Sequence, residues 1–293
     1  SARIVNKVNG IQLCIIDSLG NKTNFASGYR DKKKEPITSS MCLRIGSTAK
    51  LFANYLIQKS VQDSIISLDD KLSKWYPRFP NSESITIRNL LMHKSGVAEI
   101  LSFQRFLMQC SLFPRKVYST KELIDFLSEN SAKKAKQPNI KYEYSNSNYI
   151  LLAAIAEKIY NKEYKYLIDS LANKLNLFNT SYIKANNSSL LVNGYDKDLI
   201  PFPWGYVTKP DNTSWTSLAA ASGGIISNAE DLCSFFNYYV NGDGLNQAIK
   251  SDVLTFEPCV HKDTPEIIAI GLGIFQFKVD GIEYWGHEGQ MIG

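Results

Sequence analysis

The order of strand-like and helix-like segments is the feature that most limits the folds open to this chain. Residues 11–17 are an apolar run that leads into turn residues, and a second run continues toward Tyr29, which predicts a hairpin near the start. Near the other end, two apolar runs flank an Asp-Gly dipeptide at positions 280 and 281. Tight hairpin turns favour this dipeptide because it tolerates positive φ. Strands are therefore expected at both ends of the chain.

The middle of the chain has the periodicity of helices. Apolar residues recur with i, i+4 spacing over residues 150–159 and again over residues 167–175. Ser119 and Ser227 each begin a pattern of the capping-box type, with a Glu three residues later and an apolar periodic run behind it. Apolar stripes of this kind are typical of core faces rather than ligand surfaces.

Strands first, helices in the middle and strands last predict an α+β fold, an antiparallel β-sheet flanked by helices with an inserted all-helical lobe. The 293 residues, 44% of them hydrophobic, suffice for a substantial core. We assign residues 1–60 and 220–293 to the sheet lobe and residues 61–219 to the helical lobe, and expect the active site in the cleft between them. A long irregular loop is expected over residues 201–217, at the border of the cleft.

The charge pattern argues against a nucleic-acid partner. The net charge of +5 comes from 33 basic and 28 acidic residues spread along the sequence, and residues 32–34 form the only notable run of lysines. No aromatic or glycine-rich recognition motif accompanies this run, so we interpret it as a solvated turn. No apolar stretch approaches the length of a membrane span. The composition is that of an ordinary globular protein.

Cysteines and histidines lack the spacing of a metal site. The five cysteines are widely separated and include no Cys-x-x-Cys pair, so we interpret them as mostly buried thiols. The three histidines, at positions 93, 261 and 287, are too scattered to predict a zinc site, and His93 is interpreted as structural. The sequence therefore predicts no metal and no cofactor.

Three short motifs in a fixed order indicate an acyl-transfer site. Residues 47–50 read Ser-Thr-Ala-Lys, residues 144–146 read Tyr-Ser-Asn and residues 287–289 read His-Glu-Gly. A serine three residues before a lysine at a helix start has the ammonium one turn away, close enough to help ionise its hydroxyl. The N-terminus of a helix also favours a developing alkoxide.

Each motif alone is weak evidence, and patterns similar to the first two recur, whereas the His-x-Gly pattern occurs once. Ser-x-x-Lys is also found at residues 131–134 and 181–184, and Tyr-x-Asn is found again at residues 239–241. By itself Ser47 would be interpreted as a helix N-cap, a role that serine often has. The motifs at residues 47–50 and 144–146 are distinguished from these other copies by the sequence around them.

Five blocks of sequence carry a resemblance to a known family. The first reads Arg-Ile-Gly-Ser-Thr-Ala-Lys-Leu-Phe, and the third ends in Leu-Leu-Met-His-Lys-Ser-Gly. From about Gly10 to the end, the chain resembles the serine β-lactamase and D-alanyl-D-alanine peptidase superfamily, in its class C-like branch. The blocks, in the family's order, are residues 44–52, 66–72, 85–96, 144–149 and 221–227.

The resemblance implies roles for the first two motifs. Ser47 would be the nucleophile, Lys50 would relay its proton and Tyr144 would act as general base or acid. A tyrosine normally ionises near pH 10, so it can act as a base only if adjacent cations, Lys50 and His287, lower its pKa or relay its proton. Asn146 would orient the substrate through its amide donor and acceptor. For Tyr144 the alternative is an aromatic core residue with a satisfied hydroxyl.

The third motif implies the remaining binding residues. In the family this segment is a strand that lines the cleft, so His287 is expected there, with a partly exposed strand histidine as the alternative. Gly289 would let a substrate lie close to the backbone. The amide of Gln290 would join the amide of Ser47 as an oxyanion hole. Members of the family continue past this motif with a further strand and helix, without which one sheet face is expected to be less covered.

Glu288 departs from the family pattern, because many members carry Thr at this position. If its side chain points into the cleft, it would repel a substrate carboxylate. Such repulsion counts against a dedicated β-lactamase. It is compatible with an esterase or a peptidase that acts on a neutral or amino-bearing substrate.

The leading hypothesis is a serine hydrolase that forms an acyl-enzyme at Ser47 with an amide or ester, as D-Ala-D-Ala peptidases do. The alternatives are a carboxylesterase of the same family and a non-catalytic peptide-binding or regulatory protein on this fold. The expected partner is a small-molecule or peptide substrate, and a peripheral association with the cell wall or membrane is compatible with the resemblance. The resemblance also implies a bacterial periplasmic or secreted protein.

Overall fold

A computed structural model describes residues 8–31, 33–182, 190–192 and 213–290. The irregular loop expected over residues 201–217 lies mostly outside these residues. From Thr213 onward the chain is helical, so the last part of that prediction is wrong.

The strands form three antiparallel sheets in the described part of the chain. The first is the hairpin of β1 and β2, which confirms the turn predicted near the start. In the second, β5 lies between β3 and β4, and the third has the order β6-β7-β8-β9. The strands are β1 Gly10–Ile16, β2 Lys22–Gly28, β3 Leu43–Arg44, β4 Ser181–Tyr182, β5 Ile225–Ser227, β6 Glu257–Pro258, β7 Ile267–Ile270, β8 Phe275–Val279 and β9 Ile282–Gly286.

The Asp-Gly hairpin near the end is confirmed. Asp280 and Gly281 have φ values of 53° and 80°, and Val279 pairs with Ile282 directly across them. Positive φ at both central residues is the geometry of a two-residue turn that matches the twist of its strands. This turn sets the register of β8 and β9, and β9 leads into the His-Glu-Gly motif.

Nine α-helices lie in the described residues, and the two predicted apolar stripes fall in α5 and α6. Ser119 accepts from the Glu122 amide and the Glu122 carboxylate accepts from the Ser119 amide, which confirms that capping box. The helices are α1 Lys50–Gln62, α2 Ile87–Leu91, α3 Gln104–Leu112, α4 Thr120–Asn130, α5 Asn146–Tyr160, α6 Tyr164–Lys174, α7 Thr213–Ala219, α8 Ala229–Val240 and α9 Gln247–Val253.

The second predicted capping box is wrong by one residue. Asn228, not Ser227, caps α8, with its side chain accepting from the amide of Asp231. Ser227 is the last residue of β5, where it pairs with Leu43, and its hydroxyl lies 2.7 Å from Thr180 Oγ1. The sheet pairing and this hydrogen bond hold Ser227 in the strand, so the helix starts later.

Helices α1 and α5 form the centre of the core. Residues 147–156 of α5 are all buried, and so are ten of the thirteen residues of α1. A helix that is buried on every side belongs inside the protein, with other elements packed around it. Lys50 and Asn146 are the first residues of the two helices, and their side chains are hydrogen-bonded at 2.9 Å. The fold therefore brings the first two motifs together.

The division into lobes stays a prediction. Six of the helices, α1 excluded, start within residues 61–219, but β4 from the same segment pairs with β5 of the other segment. On the outer face of the first hairpin, Ile11, Leu13 and Ile15 are each about half exposed. Among the described helices, none has both the length and the apolar character needed to cross a membrane.

The cysteine prediction is correct only in part. Cys42 and Cys110 are buried, whereas Cys14, Cys233 and Cys259 are partly exposed, and all five are free thiols. Three of the five thus lie nearer the surface than expected for buried thiols.

Candidate active site

Ser47 lies in a single 3-10 turn, Gly46–Ala49, immediately before α1. Lys50 begins α1, and its Nζ lies 2.8 Å from Ser47 Oγ, as a spacing of three residues allows. Gly46 has φ +51°, and a Cβ there would lie 2.5 Å from the carbonyl oxygen of Gln290. Only glycine fits at this position. The residues after β9 can therefore pack directly against the Gly46–Ala49 turn, which we call the nucleophile turn.

Tyr144 and Asn146 approach the same point from the start of α5. The Tyr144 hydroxyl donates to Ser47 Oγ at 2.8 Å, and Lys50 Nζ donates to Asn146 Oδ1 at 2.9 Å. Lys50 Nζ also donates to the carbonyl oxygen of Ser222 at 3.0 Å. Residues from three separate parts of the chain therefore surround the nucleophile and its lysine.

The environment of Lys50 favours its neutral form. Its side chain is fully buried, and this burial lowers its pKa from 10.5 to about 7, although the negative charge of Glu99 opposes the shift. A neutral amine has two N–H groups, which match the two carbonyl oxygens of Asn146 and Ser222. Its lone pair is then left for the Ser47 hydroxyl, so Lys50 can accept the proton of the nucleophile.

Tyr144 is held as a neutral phenol. Burial raises its pKa well above the usual range, and the charges of Glu99 and Glu288 add to the rise, against the hydrogen bond to Ser47. Of the two conditions under which Tyr144 could act as a base, a pKa lowered by neighbouring cations is therefore not met, and relay of its proton by those cations stays a prediction. In this environment the group fits a hydrogen-bond donor and general acid. Its catalytic role stays a prediction.

Glu99 is a site residue that sequence reasoning missed. Its carboxylate accepts from the amide of Asn146 at 2.5 Å, from Asn146 Nδ2 at 3.1 Å and from the amide of Leu101 at 3.0 Å. It thus caps the N-terminus of α5 and also lines the cleft beside Ser47. Because Asn146 follows 47 residues later, no local pattern in the sequence marks the pair.

The side chain of Asn146 bridges the Lys50 amine and the Glu99 carboxylate. Its Oδ1 accepts from Lys50, and its Nδ2 donates to Glu99. Both ends of the amide are therefore engaged before any substrate is present. The structure gives Asn146 a role in positioning Lys50, and the substrate-orienting role stays a prediction.

The third motif follows β9 and closes the site from the other side. His287 lies partly buried with its ring 4.9 Å from that of Phe275, and burial together with the charge of Lys50 lowers its pKa to about 3. The neutral ring can donate from Nδ1 to the Glu288 carbonyl oxygen, 2.5 Å away. His287 therefore supplies no positive charge to Tyr144.

Gly289 and Gln290 lie directly against the nucleophile turn. A Cβ on Gly289 would lie 2.0 Å from the carbonyl oxygen of Ile45. Glycine is therefore required here by a contact within the protein, whether or not a substrate also lies close to it. Within the described residues, the amides of Ser47 and Gln290 donate to no acceptor. Two free donors beside the nucleophile suit the predicted oxyanion hole, a role that stays a prediction.

The three histidines, scattered in sequence, gather around Phe275. Their ring centroids lie 6.5, 5.8 and 4.9 Å from that ring for His93, His261 and His287. His93 also lies 4.4 Å from the Tyr144 ring, and its Nδ1 accepts from the Ser145 amide at 3.1 Å. His93 thus supports the Tyr-Ser-Asn segment. In the ranges that the structure describes, no three His, Cys, Asp or Glu side chains are grouped to hold a metal ion.

The cleft has a volume of about 1030 Å³, which lies at the upper end of the usual range for small-ligand pockets. Its lining includes the nucleophile and the third motif. Glu288 is among the lining residues, and its carboxylate accepts from Thr264 Oγ1 at 2.6 Å. Glu288 therefore contributes negative charge to the wall on that side.

Protein-family comparison matches residues 4–293 to the family described as Beta-lactamase. Relatives include a penicillin-binding protein of Bacillus subtilis, 25% identical over 244 residues, and protein flp of Staphylococcus aureus, 26% identical over 243 residues. Each alignment covers 80% of this chain, but 49% and 46% of the respective relative. The chain thus spans about half the length of the curated relatives it matches.

Among solved structures, D-amino acid amidase from Ochrobactrum anthropi SV3, in complex with L-phenylalanine amide, has a TM-score of 0.86 with this chain. The two are 26% identical, and the match covers 100% of this chain and 82% of that one. A D-stereospecific amidohydrolase from Streptomyces, 22% identical, has a TM-score of 0.80 and shares the fold, over 100% of this chain and 85% of its own. These likenesses confirm the predicted α+β fold.

Proposed function

The chain belongs to the Beta-lactamase family, and on that premise we propose that it is a serine hydrolase that cleaves amide bonds through an acyl-enzyme at Ser47. Membership confirms the resemblance carried by the five sequence blocks. The observation that carries the proposal is the pair of 2.8 Å hydrogen bonds at Ser47 Oγ, one with Lys50 Nζ and one with the Tyr144 hydroxyl. A base and an acid within reach of one hydroxyl are what acyl transfer requires.

The reaction follows from the protonation states of these groups. Neutral Lys50 accepts the Ser47 proton as Oγ attacks the amide carbon, and the free amides of Ser47 and Gln290 stabilise the oxyanion. The C–N bond breaks as Tyr144 donates its proton to the leaving nitrogen. Because the acylated Ser47 oxygen carries no proton to relay, a water that enters the cleft passes the proton of the Lys50 ammonium to the Tyr144 phenolate. A water attacks the resulting ester, releases the acid and restores the serine hydroxyl.

We propose further that the substrate carries a free amine near the amide bond. In the described part of the chain, the Glu99 carboxylate accepts N–H groups only and pairs with no cation. It therefore keeps its negative charge for a ligand that enters the cleft. Glu288 adds a second negative charge, which disfavours substrates with a carboxylate at that place. The likeness to D-amino acid amidase agrees with an amine-bearing amide.

Covalent labelling tests the nucleophile. A fluorophosphonate probe is expected to add its mass to Ser47 of the parent protein and to leave the Ser47→Ala variant unlabelled. The labelled position is read by peptide mass spectrometry. A folded parent protein whose Ser47 remains unmodified would contradict the acyl-enzyme mechanism and favour the non-catalytic alternative.

A substrate panel tests the bond and the amine. D-phenylalanine amide is expected to be hydrolysed faster than 3-phenylpropionamide, which lacks only the amine, and Glu99→Gln should reduce this preference about tenfold. A chromogenic cephalosporin, a short-chain ester and a D-Ala-D-Ala peptide complete the panel. Fastest turnover of the ester would favour a carboxylesterase, and fastest turnover of the peptide a carboxypeptidase.

The location is a further part of the proposal. We propose a periplasmic or secreted bacterial protein, with a peripheral association with the cell wall or membrane, because the chain is similar to a bacterial penicillin-binding protein. Cell fractionation of the native host followed by immunoblotting is expected to place the protein outside the cytoplasm. Recovery with a cytoplasmic marker would contradict this location.

A further inference from the structure

One side of the cleft is lined by three lysines, Lys134, Lys136 and Lys141, which we call the basic wall. They come from a short segment, residues 131–141, that contains four lysines and no acidic residue. The segment includes one of the two extra Ser-x-x-Lys patterns, whose lysine lines the cleft although its serine, Ser131, is buried elsewhere. Its charges therefore face the space in which a substrate would bind.

The positive charge of the basic wall is only partly neutralised. Lys136 and Lys141 both pair with the carboxylate of Glu143, at 2.6 and 2.7 Å. Lys134 donates to the carbonyl oxygen of Ser102 at 2.9 Å, and its Nζ lies 4.3 Å from the Phe103 ring centroid. These last partners carry no charge. Two of the three ammonium groups thus share one carboxylate and the third pairs with none, which leaves an excess of two positive charges.

The backbone holds the wall in place beside the catalytic residues. The amide of Lys136 donates to the Gly96 carbonyl oxygen at 2.9 Å, and the amide of Glu143 donates to that of His93 at 2.8 Å. Gly96 has φ +68°, and a Cβ there would lie 2.4 Å from the Lys136 carbonyl oxygen, so the two segments are in close contact. Tyr144 follows directly, so the wall has a defined position relative to the nucleophile.

The other charges of the cleft are arranged differently. Glu99 lies at the start of α5 against Asn146, and Glu288 lies after β9 against Thr264. Lys262 and Asp263 also line the cleft and add one charge of each sign. Positive charge in excess is thus found at the wall and uncompensated negative charge at Glu99 and Glu288. The cleft thus offers carboxylates for an amine and ammonium groups for an anion, and one ligand that carries both charges can use both.

We propose that the basic wall is an anion subsite, and that the enzyme acts on short peptides that carry an acidic side chain beyond the amide bond to be cleaved. The cleft of about 1030 Å³ has room for several residues of such a peptide. The inference rests on the proposed function in one respect, since that function identifies the amide bond to be cleaved and the amine near it.

Three matched peptides test the subsite. D-Ala-Gly-Glu-amide, D-Ala-Gly-Gly-amide and D-Ala-Gly-Lys-amide have the same length and the same first amide bond, and differ in the charge of the third side chain. Binding to the Ser47→Ala variant, which prevents turnover, is measured by calorimetry. The Glu peptide is expected to bind about tenfold more tightly than the Gly peptide, and the Lys peptide more weakly than both. This order should flatten as salt is added.

Variants test whether the lysines of the basic wall cause the preference for the Glu peptide. Replacement of all three lysines by glutamine, in the Ser47→Ala background, is expected to bring the Glu-to-Gly affinity ratio close to one. Lys133→Gln is the matched control, because Lys133 is an exposed lysine of the same segment that does not line the cleft. Glu143→Gln should have the opposite effect and raise the ratio, since it frees two lysines. Thermal unfolding of each variant shows whether it is folded.

The outcomes separate this inference from the proposed function. If the Glu peptide binds no more tightly than the Gly peptide, or if Lys133→Gln lowers the ratio as much as the triple replacement, the anion subsite is refuted. If the Glu peptide binds selectively but the parent protein hydrolyses none of the three, the subsite stands and the peptidase activity is refuted. Glu143→Gln with a lower ratio would also count against the subsite.

Discussion

The side-chain nitrogen of Lys50 lies 2.8 Å from the hydroxyl oxygen of Ser47, and the lysine is fully buried. Its other two hydrogen-bond partners, Asn146 Oδ1 and the Ser222 carbonyl oxygen, can only accept. A neutral amine satisfies both and keeps a lone pair for the serine. The local structure therefore provides a base for Ser47. Burial of a lysine is normally unfavourable, but here it stabilises the neutral amine that can accept the serine proton.

The rate of Ser47 labelling is expected to follow the ionisation of Lys50. Because burial lowers the pKa of Lys50 to about 7, the proton-accepting form is scarce below that pH and predominates above it. The rate constant for fluorophosphonate labelling should rise about tenfold per pH unit below pH 7 and reach a plateau above it. It is measured at a fixed probe concentration across the pH range. A midpoint near pH 10 would mean that burial does not lower the pKa of the base that activates Ser47.

Glu99 is expected to affect the pH at which the labelling rate reaches half of its plateau. Its negative charge raises the pKa of Lys50, against the larger effect of burial, so Glu99→Gln is expected to move the midpoint of the labelling profile to lower pH. Asp263→Asn is the control, since Asp263 is an exposed acid that also lines the cleft but is not among the groups that shift Lys50. Equal midpoints for Glu99→Gln and the parent protein would contradict the assignment.

Tyr144→Phe should lower the rate without moving the midpoint. The phenol has a raised pKa and donates to Ser47 Oγ at 2.8 Å, so its loss removes a proton donor and not the titrating base. Loss of a general acid is expected to reduce kcat for amide hydrolysis about 100-fold. The test is the pH profile of the variant. A profile that no longer depends on pH near 7 would identify Tyr144 as the base instead.

Local patterns in the sequence predicted what depends on neighbouring residues. The Asp280-Gly281 turn, the Ser119 capping box and the approach of Lys50 to Ser47 all involve residues no more than four positions apart. The periodicity of α5 likewise reports a buried helix without further information. For such features the physical cause is contained in a few consecutive residues.

Contacts between distant segments could not be predicted in this way. Glu99 meets Asn146 across 47 residues, and His93 lies against Tyr144 only because the fold joins their segments. The raised pKa of Tyr144 depends on burial, which no motif encodes. The lysines of the basic wall line the cleft in a segment whose backbone is joined to Gly96 through the amide of Lys136. Each of these properties is created by tertiary structure.

The burial of Lys50 should also be visible in the stability of the protein. The pKa of Lys50 is about 7 in the folded protein and 10.5 in its ordinary state, so between these values the unfolded chain binds more protons. The free energy of unfolding should therefore rise with pH in this window, by about 1.4 kcal/mol per unit from this group. Urea unfolding from about pH 7.5 to about pH 9.5 measures the slope.

Two variants test whether Lys50 causes this dependence of the free energy of unfolding on pH. Lys50→Met has no group to titrate and should lose the contribution, whereas Lys133→Met, which alters an exposed lysine, should keep the slope of the parent protein. The comparison uses slopes and not absolute stabilities, because Lys50→Met also leaves two carbonyl acceptors without their donor. Identical slopes for Lys50→Met and the parent protein would contradict the lowered pKa.

Gly289 and Gly286 offer a direct test of the oxyanion hole. A Cβ at position 289 would meet the Ile45 carbonyl oxygen at 2.0 Å and the Thr48 amide nitrogen at 2.9 Å, and rotation of the Thr48 side chain, whose Oγ1 would lie at 2.7 Å, relieves neither backbone contact. Gly289→Ala must therefore displace the segment that carries the Gln290 amide away from Ser47. Loss of one oxyanion donor is expected to reduce the labelling rate about 100-fold. At Gly286, where a Cβ would meet nothing within 4 Å, the same change should have little effect.

The comparison is informative because both substitutions add one methyl group at or just after the end of β9. If Gly289→Ala slows labelling and Gly286→Ala does not, while both proteins unfold at temperatures near that of the parent protein, the effect arises at the nucleophile and not from loss of the sheet. Equal labelling rates for the two variants would show that the Gln290 amide does not stabilise the oxyanion. The second donor would then have to come from another group that lines the cleft.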